Sequence, residues 1–146
     1  MLVLIVDDSK AIRMLVAECV SDLGHEVMYM ENGADAVSYI KVHTPDLILM
    51  DVEMPGINGF EATRQIREIK QDDWFPIIFL TTHIDDASYE QGINAGGDAY
   101  LPKPINPVRL QMQITAMERI YSTRQKLKKA QSEILSANKR LQHLAM

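Results

Sequence analysis

Apolar residues along this chain fall into two alternating patterns. Strand-length runs dominated by apolar side chains occupy 2–6, 27–30, 46–50, 76–81 and 99–101, each bounded by polar turn residues. Helix-length stretches lie between them at 9–23, 34–43, 59–70 and 85–95, and a last one starts near Pro107. In the first of these, Ile12, Val16, Cys19, Val20 and Leu23 recur at steps of three and four, with Ser9 placed as N-cap and Gly24 just past the end. The run at 2–6, and that at 46–50 after its leading Asp46, are apolar at successive positions, so both faces of those strands must be covered, as in a parallel sheet with helices on either side. Five strand–helix alternations predict an α/β fold, a doubly wound five-stranded parallel sheet.

Length and composition narrow this further. A chain of 146 residues, 47% hydrophobic and 24% charged, has room for one domain with a real core plus an appendage. Cys19 is the single cysteine, which excludes a disulfide framework or a thiolate metal cluster and fits a reducing, cytoplasmic setting. The apolar opening Met1–Val6 lacks a basic flank and is cut short by Asp7 and Asp8, too brief for a signal peptide or a membrane span. The net charge of −5 conceals an asymmetry: residues 1–108 carry 7 basic and 18 acidic side chains, a net of −11, whereas 109–146 carry 8 and 2, a net of +6. An acidic body argues against binding nucleic acid through the globular part, since phosphates would be repelled.

In an open α/β sheet, ligand sites lie beyond the carboxyl ends of the strands where the strand order reverses. Asp7 and Asp8 follow the first strand and Asp51 follows the third, so an order of 2-1-3-4-5 brings three carboxylates to adjacent strand ends. Such a cluster is relieved by protonation or by a cation, and Mg²⁺, which prefers oxygen ligands and retains waters, suits it. Asp8 and Asp51 are the expected direct ligands, joined by the backbone carbonyl of Glu53; Mn²⁺ is an expected substitute. Thr81 ends the fourth strand and Lys103 follows the fifth, adding a hydroxyl and a fixed cation at the same edge. Singly, these residues fit blander roles: Asp7 and Asp8 as helix-capping acids, Asp51 as a loop acid, Thr81 as a strand-end hydroxyl, Lys103 as a surface charge. Together they make a phosphoryl-transfer set, with a carboxylate nucleophile, a metal site, a lysine and a hydroxyl.

Over residues 1 to about 121 the chain resembles the receiver domain of two-component response regulators, of the chemotaxis single-domain type. The resemblance rests on Leu4-Ile5-Val6-Asp7-Asp8-Ser9, on the segment from Asp46 through Asp51 to Pro55-Gly56 with Gly59 close behind, on Thr81, and on Tyr100-Leu101-Pro102-Lys103-Pro104. It implies a flavodoxin-like fold, Asp51 as phosphoacceptor, Asp7 and Asp8 as the acidic pair for Mg²⁺, Lys103 as ion-pair partner of the phosphoryl group, and a cis Lys103–Pro104 bond. It also implies Thr81 and Tyr100 as a coupled switch acting on the face made by helix 4, strand 5 and helix 5. The expected partner is a sensor histidine kinase or a phosphotransfer protein. The only chemistry expected of the chain is its own phosphorylation and slow dephosphorylation. Thr82 departs from the family, which usually has a small residue there, and Glu53 occupies a variable position two after the acceptor.

Beyond 121 the chain runs to Met146 without Pro or Gly. Ile120, Leu127, Ile134 and Leu141 recur every seven residues, with Thr123, Ala130, Ala137 and Leu144 three after each, which is an a/d seam. The division is therefore 1–121 receiver and 122–146 helical extension. The extension resembles the linkers that join receivers to output domains such as diguanylate cyclases. A coiled coil is expected, making a homodimer through this helix and the face of helix 4, strand 5 and helix 5. A helix folded back on its own domain, or a basic zipper built on Arg124, Lys126, Lys128 and Lys129, would account for the same residues. For the whole chain, two other readings stand beside the switch: a haloacid-dehalogenase-like aspartyl-phosphate hydrolase, and an interaction module whose acidic site is idle.

Overall fold

A computed structural model describes residues 1–145, with side chains through Leu144. Strands and helices alternate along the chain: β1 (Leu2–Val6), α1 (Lys10–Asp22), β2 (Glu26–Met30), α2 (Gly33–Ile40), β3 (Leu47–Asp51), α3 (Gly59–Ile69), β4 (Ile77–Thr81), α4 (Asp86–Ala95), β5 (Ala99–Pro102) and α5 (Pro107–Ala145). All strands are parallel, in the order β2-β1-β3-β4-β5. The predicted fold class is the observed one.

The period-two geometry of the strands sorts their apolar residues onto two faces. Leu4, Val6, Ile48, Met50, Ile77 and Phe79 face a layer made by α2, α3 and α4. Val3, Ile5, Leu47, Leu49, Ile78 and Leu80 face α1 and the start of α5, which contributes Leu110 and Ile114. All these strand residues are fully buried, which is why β1, β3 and β4 read as unbroken apolar runs. The edge strand β2 is only partly covered and reads as mixed.

Each helix after β1 to β4 starts with a side-chain cap at the carboxyl edge of the sheet. Ser9 Oγ accepts from Ile12 N, Asn32 Oδ1 from Asp35 N, Asn58 Oδ1 from Glu61 N, and Asp85 Oδ1 from Ser88 N. These caps turn the chain sharply and leave the strand ends open. The α1 stripe is as expected except that Arg13 is also buried on it. Gly24, at φ 84°, follows Leu23 as the left-handed residue.

Most element boundaries lie one residue from the sequence expectation, and three of the differences have a visible cause. Asp51 is the last residue of β3, paired with Leu80, because the ladder with β4 extends one residue further than the apolar run. Strand β2 begins at Glu26, whose N–H bonds to Met1. Helix α2 ends at Ile40 instead of 43, and the following turn is closed by stacking of Tyr39 on His43, with ring centroids 4.5 Å apart. The last helix runs unbroken for 39 residues, roughly 58 Å at the usual rise, and its contacts with the body of the domain reach as far as Lys128. Among the described residues no helix is long and apolar enough to cross a membrane.

Candidate functional site

The carboxyl ends of β1 and β3 place Asp7, Asp8 and Asp51 together, with one oxygen from each lying within 4.8 Å of the others. Asp7 and Asp51 are buried, whereas Asp8 is exposed. Local geometry holds the two buried acids in place. Asp7 Oδ1 accepts from Ser9 N at 2.8 Å, and the Asp7 carbonyl accepts from the Arg13 guanidinium at 2.8 Å. Asp51 Oδ1 accepts from Glu53 N at 3.3 Å. A side chain at Gly59 would collide with the Asp51 carbonyl, so only glycine lets α3 begin this close to the end of β3.

Lys103 comes in from the loop after β5, where the Lys103–Pro104 peptide is cis as expected. Its Nζ lies 2.8 Å from Asp51 Oδ1 and 3.3 Å from Asp7 Oδ2. One ammonium thus serves two buried carboxylates, and neither is fully satisfied: Asp7 Oδ2 and Asp51 Oδ2 are buried without a hydrogen bond. Burial pushes the Asp51 carboxyl up to about 6; the Lys103 hydrogen bond opposes this and the Asp7 charge adds to it. Burial disfavours the Lys103 charge, but the Asp51 hydrogen bond and the Asp7 and Asp51 charges outweigh it and raise its pKa. Two orphaned carboxylate oxygens beside a third acid are the donor set that a hard divalent cation takes, so the residues present fit Mg²⁺.

Thr81 and Tyr100, read from the sequence as a pair, are both held on the α4 side of the site. Thr81 Oγ1 donates to Glu53 Oε1 at 2.6 Å and accepts from His83 N at 3.0 Å. Thr82 Oγ1 and His83 Nε2 approach the same Glu53 oxygen at 3.5 and 3.4 Å. The Glu53 side chain therefore occupies the Thr81 hydroxyl, a contact that the sequence does not announce. Tyr100 lies against Gly92 of α4, packs between Phe79 and Tyr89, and donates its hydroxyl to Ser88 O at 2.6 Å. Burial pushes its pKa up to about 12.

All seven residues singled out from the sequence thus lie at the carboxyl edge of the sheet or beside it. Reading the sequence missed Arg13, because a basic residue inside an apolar stripe looks like its solvent edge. Its position four after Ser9, on the side of the helix facing the strand-end acids, was the available signal.

The response regulator receiver domain family matches residues 3–115. The protein PilH of Pseudomonas aeruginosa is 36% identical over 115 residues, covering 79% of this chain and 95% of PilH. The transcriptional regulatory protein AfsQ1 of Streptomyces coelicolor is 37% identical over 116 residues, and there the match spans 50% of the relative, so the chain corresponds to about half of such regulators. Among solved structures, the Vibrio cholerae chemotaxis protein CheY4 superposes with a TM-score of 0.75 at 34% identity, covering 80% of this chain and 97% of that one. The hydrolase expectation finds no support, since the candidate nucleophile ends β3 and the resemblance to receivers runs across nearly the whole sheet. With that family model matched over residues 3–115 and a relative 36% identical along nearly its whole length, the chain belongs to the response regulator receiver domain family.

Proposed function

We propose that this protein is a phosphoacceptor switch of a two-component system, taking a phosphoryl group on Asp51 from a histidine kinase or phosphotransfer protein. The observation that carries the reading is Asp51 Oδ2, a buried carboxylate oxygen without a hydrogen bond, while its sister oxygen is held by Lys103. A nucleophile needs one lone pair free and its orientation fixed, and this arrangement supplies both. Asp7, Asp8, Asp51 and the Glu53 carbonyl would hold Mg²⁺, which, when bound, neutralises the acidic cluster and the incoming phosphoryl charge. The Asp51 oxygen forms the new bond to phosphorus as the donor's nitrogen or oxygen leaves. Lys103, already paired with Asp51, balances the added negative charge.

The switch follows from the competing partners of Thr81. Its hydroxyl leaves Glu53 for a phosphoryl oxygen, and Tyr100 gives up Ser88, releasing the contact that ties β5 to α4. The face formed by α4, β5 and α5 then changes shape. Residues 1–121 act as the receiver and 122–146 as the extension that carries output. Along the extension Ile120, Leu127, Ile134 and Leu141 are exposed, a seam that a second copy would cover to form a cytoplasmic homodimer joined also by the α4, β5 and α5 face.

Acetyl phosphate with Mg²⁺ or Mn²⁺ tests the central claim by intact-mass spectrometry. One phosphoryl adduct is expected on the wild type and none on Asp51→Ala or when the metal is chelated. An unchanged wild-type mass, or the same adduct on the variant, would overturn the assignment. Sedimentation of the full chain and of a chain lacking 124–146 tests the dimer separately.

A further inference from the structure

At the opposite end of the sheet from Asp51, an open groove of about 530 Å³ separates the first turns of the extension from the segment between α3 and β4. Charged and aromatic contacts cross it. The Arg124 guanidinium sits 4.3 Å from the centroid of the Trp74 ring, and Lys128 Nζ lies 3.4 Å from Asp73 Oδ1. Tyr121 donates its hydroxyl to Asp46 Oδ1 at 2.6 Å and accepts from Gln125 Nε2 at 2.7 Å. Tyr121, Arg124, Gln125 and Lys128 recur at steps of three and four, so they form one face of α5 turned to the domain; of the exposed seam of Ile120, Leu127, Ile134 and Leu141, Leu127 also borders the groove.

The far side of this groove is tied to the switch face. Arg67 of α3 donates Nη1 to Phe75 O at 2.6 Å, Nε to Gly96 O at 2.9 Å and Nη2 to Asp98 Oδ2 at 2.8 Å. Gly96 caps α4 and Asp98 precedes β5. One side chain therefore joins the α4–β5 corner to Phe75, the neighbour of Trp74.

We propose that this groove is a joint through which the receiver holds its extension: Trp74, Asp73 and Asp46 dock α5 as far as Lys128, and Arg67 links that dock to the α4–β5 corner. The free lever then begins beyond Lys128, and movement of the corner reaches the extension by a second route besides helix α5 itself. The coupling to the corner rests on the phosphoacceptor reading; the docking does not.

Full-length protein, diluted until sedimentation shows a monomer, tests the docking without help from a coiled coil. Amide hydrogen exchange is expected to be slower over 119–128 than over 134–144. Arg124→Ala should speed the former on the order of tenfold while leaving 110–118 unchanged, with Arg124→Lys between the two. Acrylamide should quench Trp74, the single tryptophan, more readily in Arg124→Ala than in wild type. Equal exchange on both sides of Lys128 in wild type, or no response to Arg124→Ala in exchange and quenching, would overturn the joint. Beryllofluoride with Mg²⁺ then tests the coupling. It should alter exchange in α4 and in 119–128 of wild type, and in Arg124→Ala the extension response should fall at least about threefold with α4 still responding. An equal extension response in both proteins would overturn the coupling. A silent α4 in wild type would count against the phosphoacceptor reading, with the docking still decided by the first arm.

Discussion

Strand β3 is bracketed by two aspartates in opposite circumstances. Asp46, just before it, has both oxygens satisfied: Oδ2 accepts from Leu2 N at 2.7 Å and Oδ1 from the Tyr121 hydroxyl. Asp51, at its other end, shares a single lysine with Asp7 and keeps one buried oxygen without a partner. The first acid closes a structure; the second holds one open. A buried carboxylate left short of partners costs stability, and of the two ends of β3 only the Asp51 end carries that cost.

The largest test of this contrast removes the cation from the crowded end. Lys103→Met leaves Asp7 and Asp51 buried and facing each other, and should destabilise the metal-free protein by about 3 to 5 kcal/mol at pH 8 in urea unfolding. Saturating Mg²⁺ should recover part of the loss, because a cation again balances the two acids. A cost under about 1 kcal/mol would show that Asp7 and Asp51 do not share the lysine in this way.

Next in size is the gain from relieving the crowding. Asp51→Asn leaves Lys103 with one acid partner and should stabilise the metal-free protein by about 2 to 3 kcal/mol at pH 8. The sign follows from the raised carboxyl. In the folded protein Asp51 holds its proton up to about pH 6, against 3.8 in the unfolded chain. The stability this binding provides is present below the unfolded value and is lost as pH rises through about 6. The advantage of the variant should therefore be smallest near pH 4 and grow across that window. An advantage independent of pH would mean that the carboxyl titrates alike in both states.

The smallest effect lies at the satisfied end. Asp46→Ala strands the Leu2 N–H and the Tyr121 hydroxyl, and should cost about 1 to 3 kcal/mol at neutral pH with phosphorylation of Asp51 unchanged. Comparable loss of acetyl phosphate labelling in this variant would erase the distinction between the two ends.

Much of the candidate site's placement was legible because it is carried by local signals. Asp7, Asp51, Thr81 and Lys103 stand at the ends of apolar runs, and strand ends in a parallel sheet share one edge, so topology alone gathers them. What stayed illegible joins elements that no periodicity relates. The Glu53 hold on Thr81 spans 28 residues, and its existence depends on a rotamer, since the same Glu53 reaches solvent equally well in an extended chain. Arg67 looks like a helix-surface cation until β4 and β5 bring Phe75 O and Asp98 beneath it.

The extension shows the division most plainly. The uninterrupted helix and its heptad seam were determined by the sequence itself, because residues seven apart share a face of any helix and the absence of Pro and Gly lets that helix continue. That Tyr121, Arg124 and Lys128 grip Asp46, Trp74 and Asp73 was decided only by the tertiary structure. These pairs lie about 50 to 75 residues apart, and each meets because the packing of Leu110 and Ile114 onto the sheet aims α5 past the far ends of β3 and β4.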